Sequence, residues 1–367
     1  MVKLGEILDE GVLLRLIDEG YISAQAHRTF PLTILNYTHT AQYDPKLEWG
    51  REMNLSRGLI FNHHNGDIIA RPFAKFWNFG DTRHPETLEE NLPNEVPFIS
   101  DKMDGSLGIL YHWDGENYVA TRGSFYSDQA LWATAWLHAK YPALQLPKLH
   151  TICSEIIFNS NKIVIDYDFE GLIILGAINN ETGIELPRNI LESYCRANEL
   201  SLVQKFSKSL SDCLKENITN REGYVLTYRS TGLKVKVKFE DYVRLHKILT
   251  GLNVHSIWEL LRDSKVDEIQ TWMLDLKMSA EFKVWLNDCV TELKLQFSNI
   301  LTKAEEIFDA RPINVTRKEL AEYFLQPDHK IYSSLLFSMA DGKEIASGIW
   351  KRIEPVGGIK SFKKEDE

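Results

Sequence analysis

The hydropathy period of this 367-residue chain changes once, near residue 250. Before that point short apolar runs recur: LSRGLIFN (55–62), GDIIARPF (66–73), SLGILYHW (106–113), NYVATRG (117–123), NKIVIDY (161–167), LIILGAI (172–178), EGYVLTY (222–228) and LKVKVKF (233–239). They are rich in β-branched and aromatic residues and bounded by turn formers, which predicts strands. Asp114–Gly115, inside HWDGENY, marks a hairpin between two of them. A helix is predicted over 127–140, where SDQALWATAWLHAK opens on a Ser127 cap and carries apolar residues at helical spacing. After residue 250 the period is helical. Phe282, Trp285, Leu286, Cys289, Leu293, Phe297, Ile300, Leu301, Ala304 and Phe308 keep one face apolar. SIWE (256–259) and TRKE (316–319) fit capping boxes, with Ser256 and Thr316 as N-caps. Strands paired locally with helices inserted predict an α+β domain with antiparallel sheets over 1–250, followed by an all-α domain over 251–367. The tail KSFKKEDE (360–367) is read as frayed.

The net charge is −10, of which residues 1–250 carry −6 and residues 251–367 carry −4. Neither part is a basic tail, so any nucleic-acid site must be a local groove. The four cysteines, Cys153, Cys195, Cys213 and Cys289, form no CxxC pair. That spacing argues against a zinc site or disulfide framework and for a reducing cytosol. The N-terminal stretch is interrupted by acids and reads as no signal peptide, and no uncharged apolar run reaches bilayer length. A cytoplasmic monomer without membrane contact is expected.

The segment most suggestive of chemistry is DKMDGSLGIL (101–110). Lys102 precedes Asp104 and Gly105 at the mouth of a strand. Read alone, this is a charged turn. Lysine becomes a nucleophile only when burial or neighbouring cations lower its pKa. LKVKVKF supplies Lys234, Lys236 and Lys238 on one face of a strand. A solvated edge strand explains those lysines equally well. Glu155 in SEII and Glu222 in EGYV open or end apolar runs, where surface carboxylates are common. Arg57 and Arg122 each precede a glycine, and Arg71 and Lys75 lie among Phe73, Phe76, Trp77 and Phe79. A cation between aromatics is usually a snorkelling side chain.

The order of these pieces is more telling than any one of them. SRGLIF, ARPFAKFWNF, KMDGSL, TRGSFYSDQAL, NKIVIDY, NNETG (179–183), EGYV and KVKFEDYV follow one another from about residue 36 to 247. In this series the chain resembles the covalent nucleotidyltransferases, and among them the T-even bacteriophage RNA ligase 1 family. The resemblance implies a nucleotidyltransferase domain that uses ATP with Mg2+ or Mn2+. Lys102 would be the nucleophile that becomes lysyl-AMP. Lys236 and Lys238 would bind the α-phosphate and depress the pKa of Lys102, while Lys234 lies outside the pair. Asp104 would orient Lys102 and the ribose. Glu155 would hold the ribose, Glu222 would sit at the metal and nucleotide, and Arg57 and Lys75 would face the departing pyrophosphate. Arg122 would contact ribose or phosphate, and Tyr242 would contact the substrate. The RNA would carry 5′-phosphate and 3′-hydroxyl ends. Cleaved tRNA is the implied substrate, with the helical domain supplying the preference, in a host cytosol if the chain is phage-encoded.

Two departures matter. Leu107 stands where DNA ligases and mRNA capping enzymes carry the arginine of KxDGxR, and the helical 251–367 segment does not read as the OB-fold expected after their catalytic core. DNA ligase or capping chemistry is therefore the lesser alternative, followed by a non-catalytic RNA-end-binding protein. GLIILGAI (171–178) offers no aromatic to stack on a purine, so that role is unassigned.

Overall fold

The computed structural model describes residues 1–159, 164–275, 278 and 280–355. The chain divides into two compact units between Arg244 and Leu245, within the helix Glu240–Gly251.

The first unit contains the strands. They are β1 (Ile22–Ala26), β2 (Leu32–Tyr37), β3 (Arg57–Asn62), β4 (Ile68–Ala70), β5 (Trp77–Asn78), β6 (Phe98–Lys102), β7 (Ser106–Trp113), β8 (Glu116–Ala120), β9 (His150–Ile157), β10 (Gly171–Asn179), β11 (Lys205–Phe206), β12 (Gly223–Thr227) and β13 (Lys234–Lys238). They form three sheets, ordered β1-β2-β3-β4, β10-β9-β7-β8 and β11-β6-β12-β13-β5. Pairing is antiparallel except between β13 and β5. This is the α+β class with antiparallel sheets.

The β7–β8 hairpin turns at Asp114 and Gly115, both at positive φ, as the Asp-Gly signal requires. The helix Asp128–Lys140 is capped by Ser127, whose hydroxyl accepts from the Ala130 amide, and it buries Ala130, Ala133 and Leu137. With Leu110, Ile152, Ile174 and Leu191, two of these build the core under the β7–β10 sheet. A second core joins Ile99, Tyr224, Leu226, Val235, Val237 and Phe239 behind the five-stranded sheet.

Some expectations change. The run GDIIARPF holds strand geometry only at β4, because the Pro72 nitrogen cannot donate to a ladder. In NKIVIDY, residues 161–163 lie outside the described residues, and residues 164–167 are not strand. The backbone amides of Val164 and Ile165 are instead spent on the Asp104 carboxylate.

The second unit has no strand among its described residues. Its long helix, Ala280–Asp309, buries Phe282, Leu286, Leu293, Ala304 and Ile307 along the stripe read from the sequence. Thr316 and Glu319 make both bonds of the capping box at the helix Arg317–Phe324. SIWE does not cap a helix. The helix Val254–Arg262 starts two residues earlier, and the Asn253 side chain takes the Ser256 amide, so Ser256 is already inside the first turn. The tail at 360–367 lies outside the described residues. No described helix is long and apolar enough to cross a membrane.

Candidate active site

The register of the five-stranded sheet brings the lysines together. Gly223 of β12 faces Lys102 at the end of β6 on one side and Lys238 at the end of β13 on the other. Glu222, one residue before Gly223, is therefore flanked by two ammonium groups. Its Oε1 lies 2.7 Å from Lys102 Nζ and 3.0 Å from Lys238 Nζ. Glu222 is only 3% exposed. Gly223 has φ +148°, and a Cβ there would stand 2.0 Å from the Val237 carbonyl oxygen, so this close crossing needs glycine.

The KMDG turn is built with the same economy of space. A Cβ on Gly105 would come 2.5 Å from the Ile156 carbonyl oxygen, which fixes glycine where β7 meets β9. The Gly105 amide donates to Glu155 Oε1 at 2.9 Å. Asp104 Oδ2 accepts from the Val164 and Ile165 amides, both at 2.9 Å, and Oδ1 accepts from the Tyr242 hydroxyl at 2.7 Å. The Asp104 amide donates to the Tyr167 hydroxyl at 2.8 Å. Asp104 thus anchors the turn that follows Lys102 to two other parts of the chain.

Tyr242, expected to contact the substrate, packs against the KMDG turn. It is 4% exposed, its hydroxyl is committed to Asp104, and the Lys238 ammonium lies 5.1 Å from its ring centroid.

The expected depression of the Lys102 pKa is also corrected. Burial does push it down, but the Glu222, Glu155 and Asp104 carboxylates outweigh burial and raise it above the ordinary lysine value. The depressed lysine is Lys236. Burial, then the charges of Lys102, Lys75, Arg57 and Lys238, push its pKa well below 10.5. Like-charge repulsion therefore falls on the lysine that has no carboxylate against it, while Lys102 is held as an ammonium by Glu222. The edge-strand explanation for these lysines fails as well, since β13 lies between β12 and β5. Lys234 pairs with Glu185 at 2.6 Å and bonds Thr227, apart from this group.

Glu155 titrates unusually. Burial, opposed by Lys102 and reinforced by Glu222 and Asp104, raises its pKa from 4.5 to about 8. An acid whose pKa is raised in the folded chain gives stability that is full below the unfolded value and lost as pH rises through the folded one. Stability of the wild-type chain is therefore expected to fall between pH 4.5 and about 8, by up to about 1.4 kcal/mol per pH unit. In Glu155→Gln that slope should flatten. Urea unfolding of both proteins at several pH values in this window measures it, and equal slopes would refute the assignment.

Arg57, Lys75 and Arg122 converge on Tyr37, at the end of β2. The Tyr37 hydroxyl accepts from Lys75 Nζ at 3.0 Å and from Arg122 Nη1 at 2.7 Å. Lys75 is boxed by the rings of Tyr37, Trp49 and Trp77, with centroids 4.5, 5.5 and 4.8 Å from Nζ. Aromatic faces hold a cation without neutralising it. Arg57 bonds the Phe73 carbonyl and lies over Phe76. Lys236 also lies over Phe76 and feels Lys75 and Arg57, so it stands between the two groups of charges. Sequence reasoning missed Tyr37, Trp49 and Tyr167. Tyr37 ends the strand-like run LTILNY, but nothing in that run separates it from an ordinary core tyrosine.

Among the described residues no group of three or more His, Cys, Asp or Glu side chains is arranged to hold a metal ion. A cavity of about 840 Å³ lies elsewhere, at the far end of β7, lined in part by Tyr111, His112, Asn117, His138 and Leu144. It contains none of the residues of the Lys102 cluster.

The stretch that holds all of these charges, residues 55–243, matches the family model described as RNA ligase. The chain belongs to the RNA ligase family. Among its relatives is a putative RNA ligase of Thermovibrio ammonificans, 28% identical over 265 residues, which are 67% of this chain and 64% of that protein. A putative bifunctional polynucleotide kinase/RNA ligase of Autographa californica nuclear polyhedrosis virus is 25% identical over 279 residues, 67% of this chain and 38% of that one. The chain thus spans less than two thirds of either relative's length. A solved archaeal ATP-dependent RNA ligase is 14% identical, with a TM-score of 0.47 over 92% of this chain and 96% of that one. Nearly all the residues singled out from the sequence lie inside the family match, including Lys102, Glu155, Glu222, Lys236 and Lys238.

Proposed function

We propose that this protein is an ATP-dependent RNA ligase that joins a 5′-phosphate to a 3′-hydroxyl end through its nucleotidyltransferase unit. The observation that carries the reading is the Lys102–Glu222–Lys238 cluster beside Lys236, at the end of three hydrogen-bonded strands in a chain of this family. The Lys102 amine, once it has lost its proton, attacks the α-phosphorus of ATP. The bond to the β-phosphate oxygen breaks, pyrophosphate leaves, and lysyl-AMP remains. An oxygen of the RNA 5′-phosphate then displaces Lys102, so that AMP caps the end. Finally the 3′-hydroxyl attacks that 5′-phosphate, a phosphodiester forms and AMP departs.

The protein's part is to position phosphates and offset their charge. Lys236 and Lys238 serve the α-phosphate. Arg57 and Lys75 serve the leaving pyrophosphate, and Arg122 serves ribose or phosphate. Glu155 serves the ribose, and Asp104 with Tyr242 secures the turn that presents Lys102. Glu222 would offer a hard oxygen donor to Mg2+ or Mn2+. When bound, such an ion neutralises charge on the triphosphate. The helical second unit supplies a preference for cleaved tRNA, and the protein works as a cytosolic monomer, in a host cell if phage-encoded.

The test is incubation of the full chain with α-labelled ATP and magnesium, followed by addition of 5′-phosphorylated RNA. A covalent, acid-labile protein–AMP adduct should form and be discharged by RNA, most rapidly by nicked tRNA. No adduct would overturn the reading. Discharge to nicked DNA in preference to RNA, or an adduct from GTP alone, would favour DNA joining or capping.

A further inference from the structure

The turn between β1 and β2, HRTFP (27–31), folds against TRGSFY (121–126), the loop that carries Arg122. The His27 ring stacks on Phe30, with centroids 4.4 Å apart and an interplanar angle of 12°. Phe125 meets His27 edge-on at 4.9 Å and is rooted in the core with Leu32 and Ile34. Tyr126 lies 5.1 Å from His27, and the Arg28 guanidinium sits over its ring, 4.4 Å from the centroid. Phe125 is buried, while His27, Phe30 and Tyr126 are half-buried and Arg28 is exposed. The cluster thus has a fixed base and an open rim.

Every polar group on that rim has a proton left to give. His27 Nδ1 lies 3.0 Å from the Phe30 amide and 3.2 Å from the Thr29 amide. An amide N–H can only donate, so Nδ1 accepts and the neutral ring carries its proton on Nε2. Burial lowers the His27 pKa and so favours that neutral ring. The Tyr126 hydroxyl accepts from the Arg28 amide at 2.8 Å. Among the described residues nothing accepts the Nε2 proton of His27 or the hydroxyl proton of Tyr126, and the Arg28 guanidinium makes no hydrogen bond or ion pair. The tyrosine ring beneath Arg28 holds the cation without neutralising it.

We propose that this rim is a binding platform for single-stranded RNA, on which a base stacks against the Arg28–Tyr126 pair while Arg28, His27 and Tyr126 donate to phosphate and base oxygens. This rests on the RNA ligase reading and deepens it, by giving the RNA chain a foothold beyond the ends being joined. RNA offers both things the rim lacks, a flat ring for the guanidinium plane and a row of acceptor oxygens. An apolar partner would instead bury three donors without acceptors, which is costly. The placement agrees with this. Tyr126 stands four residues after Arg122 on one loop, and Arg122 bonds Tyr37. From the other side, the HRTFP turn leads directly into β2, whose six residues span about 20 Å and end at Tyr37. The platform and the cations around Tyr37 are therefore joined by two short rigid connections, within reach of one RNA strand.

The experiment uses the full chain and two probes, a 5′-phosphorylated single-stranded RNA of about 20 nucleotides and a 5′-phosphorylated dinucleotide too short to span from the ligation site to the platform. Affinities of wild type and Arg28→Ala are measured by calorimetry at several salt concentrations. Arg28 is exposed and packs only on the Tyr126 ring, so its truncation spares the fold, and urea unfolding checks that. Arg28→Ala should bind the long RNA about tenfold more weakly. Its plot of log affinity against log salt should be shallower by about 0.7, the share of one phosphate contact on a single strand. The dinucleotide should show neither change. Independently of any variant, long RNA carrying 5-iodouridine should photo-crosslink wild type at Phe30 or Tyr126. If wild type forms the protein–AMP adduct but Arg28→Ala matches it on long RNA, or loses as much on the dinucleotide, or the crosslinks fall elsewhere, the platform is refuted. If wild type forms no adduct with ATP, the ligase reading itself fails.

Discussion

Lys102→Arg is expected to abolish the protein–AMP adduct, lowering its rate by at least about 10⁴-fold, because a guanidinium is not deprotonated in proteins and has no lone pair to offer. Arginine is chosen over alanine for a structural reason. Glu222 is buried and carries Lys102 at 2.7 Å, so a neutral residue at 102 would take away one of its two cations. The positive charge of arginine lets loss of chemistry be read apart from loss of fold. Adduct formation from α-labelled ATP, together with urea unfolding, measures both. Retention of labelled adduct in the variant would remove Lys102 from its role. A second assay sharpens the result. RNA that is already adenylated at its 5′ end bypasses the first step, so Lys102→Arg should still seal it while failing with ATP and ordinary RNA.

Glu222→Gln is expected to have the second largest effect, on stability as well as activity. One oxygen of Glu222 serves two lysines, at 2.7 and 3.0 Å. Removing the charge of one partner from a buried ion pair leaves the others uncompensated, at a cost of about 3–5 kcal/mol. Activity should fall at least about 100-fold, since the variant loses both the clamp on Lys102 and the proposed metal oxygen. The pH dependence identifies the cause. With Glu222 neutral, the burial that works against the Lys102 ammonium loses its largest opposing carboxylate, and the Lys102 pKa is expected to fall. The raised folded pKa of Lys102 in wild type gives stability that is lost as pH rises past 10.5, and Glu222→Gln removes part of it, so the deficit should shrink as pH rises through that range. Urea unfolding at pH 7 and near pH 11 measures this. A deficit that does not change with pH, or a variant as stable as wild type, would show that Glu222 does not hold Lys102 protonated.

The resting protonation of Lys102 gives the site a particular character. The proposed nucleophile is held toward its charged form by Glu222, whereas burial and neighbouring cations push Lys236 toward its neutral form. Proximity of lysines alone would have suggested the reverse. A carboxylate at 2.7 Å outweighs more distant like charges, since Coulomb energy falls with separation and the pair is shielded from water. The proposed adenylylation would thus include a step that loosens Lys102 from Glu222 before attack.

Much of this protein was legible in its residues. β-Branched and aromatic content between turn formers located β7, β10 and β12, and the Lys/Val alternation of LKVKVKF located β13. The helical stripe from Phe282 to Phe308 located the long helix, and Thr316 with Glu319 located a helix start, because capping is a local interaction. What failed locally failed for local reasons too. Ser256 and Asn253 are both competent caps, and only the path of the chain into the helix selects Asn253. The residue types at the site, the lysines, the acids and the two crowded glycines, were likewise readable from their order along the chain. Which group holds which was not. Strand register decides that Gly223 faces Lys102 and Lys238 together, and register is a long-range property. The convergence of Arg57, Lys75 and Arg122 on Tyr37 joins residues 85 positions apart, and no spacing rule reaches that far. Sequence therefore determined which charges exist and the strands and helices that carry them. Tertiary structure decided their partners, and so their protonation, because burial and a carboxylate within 3 Å set a pKa that composition cannot.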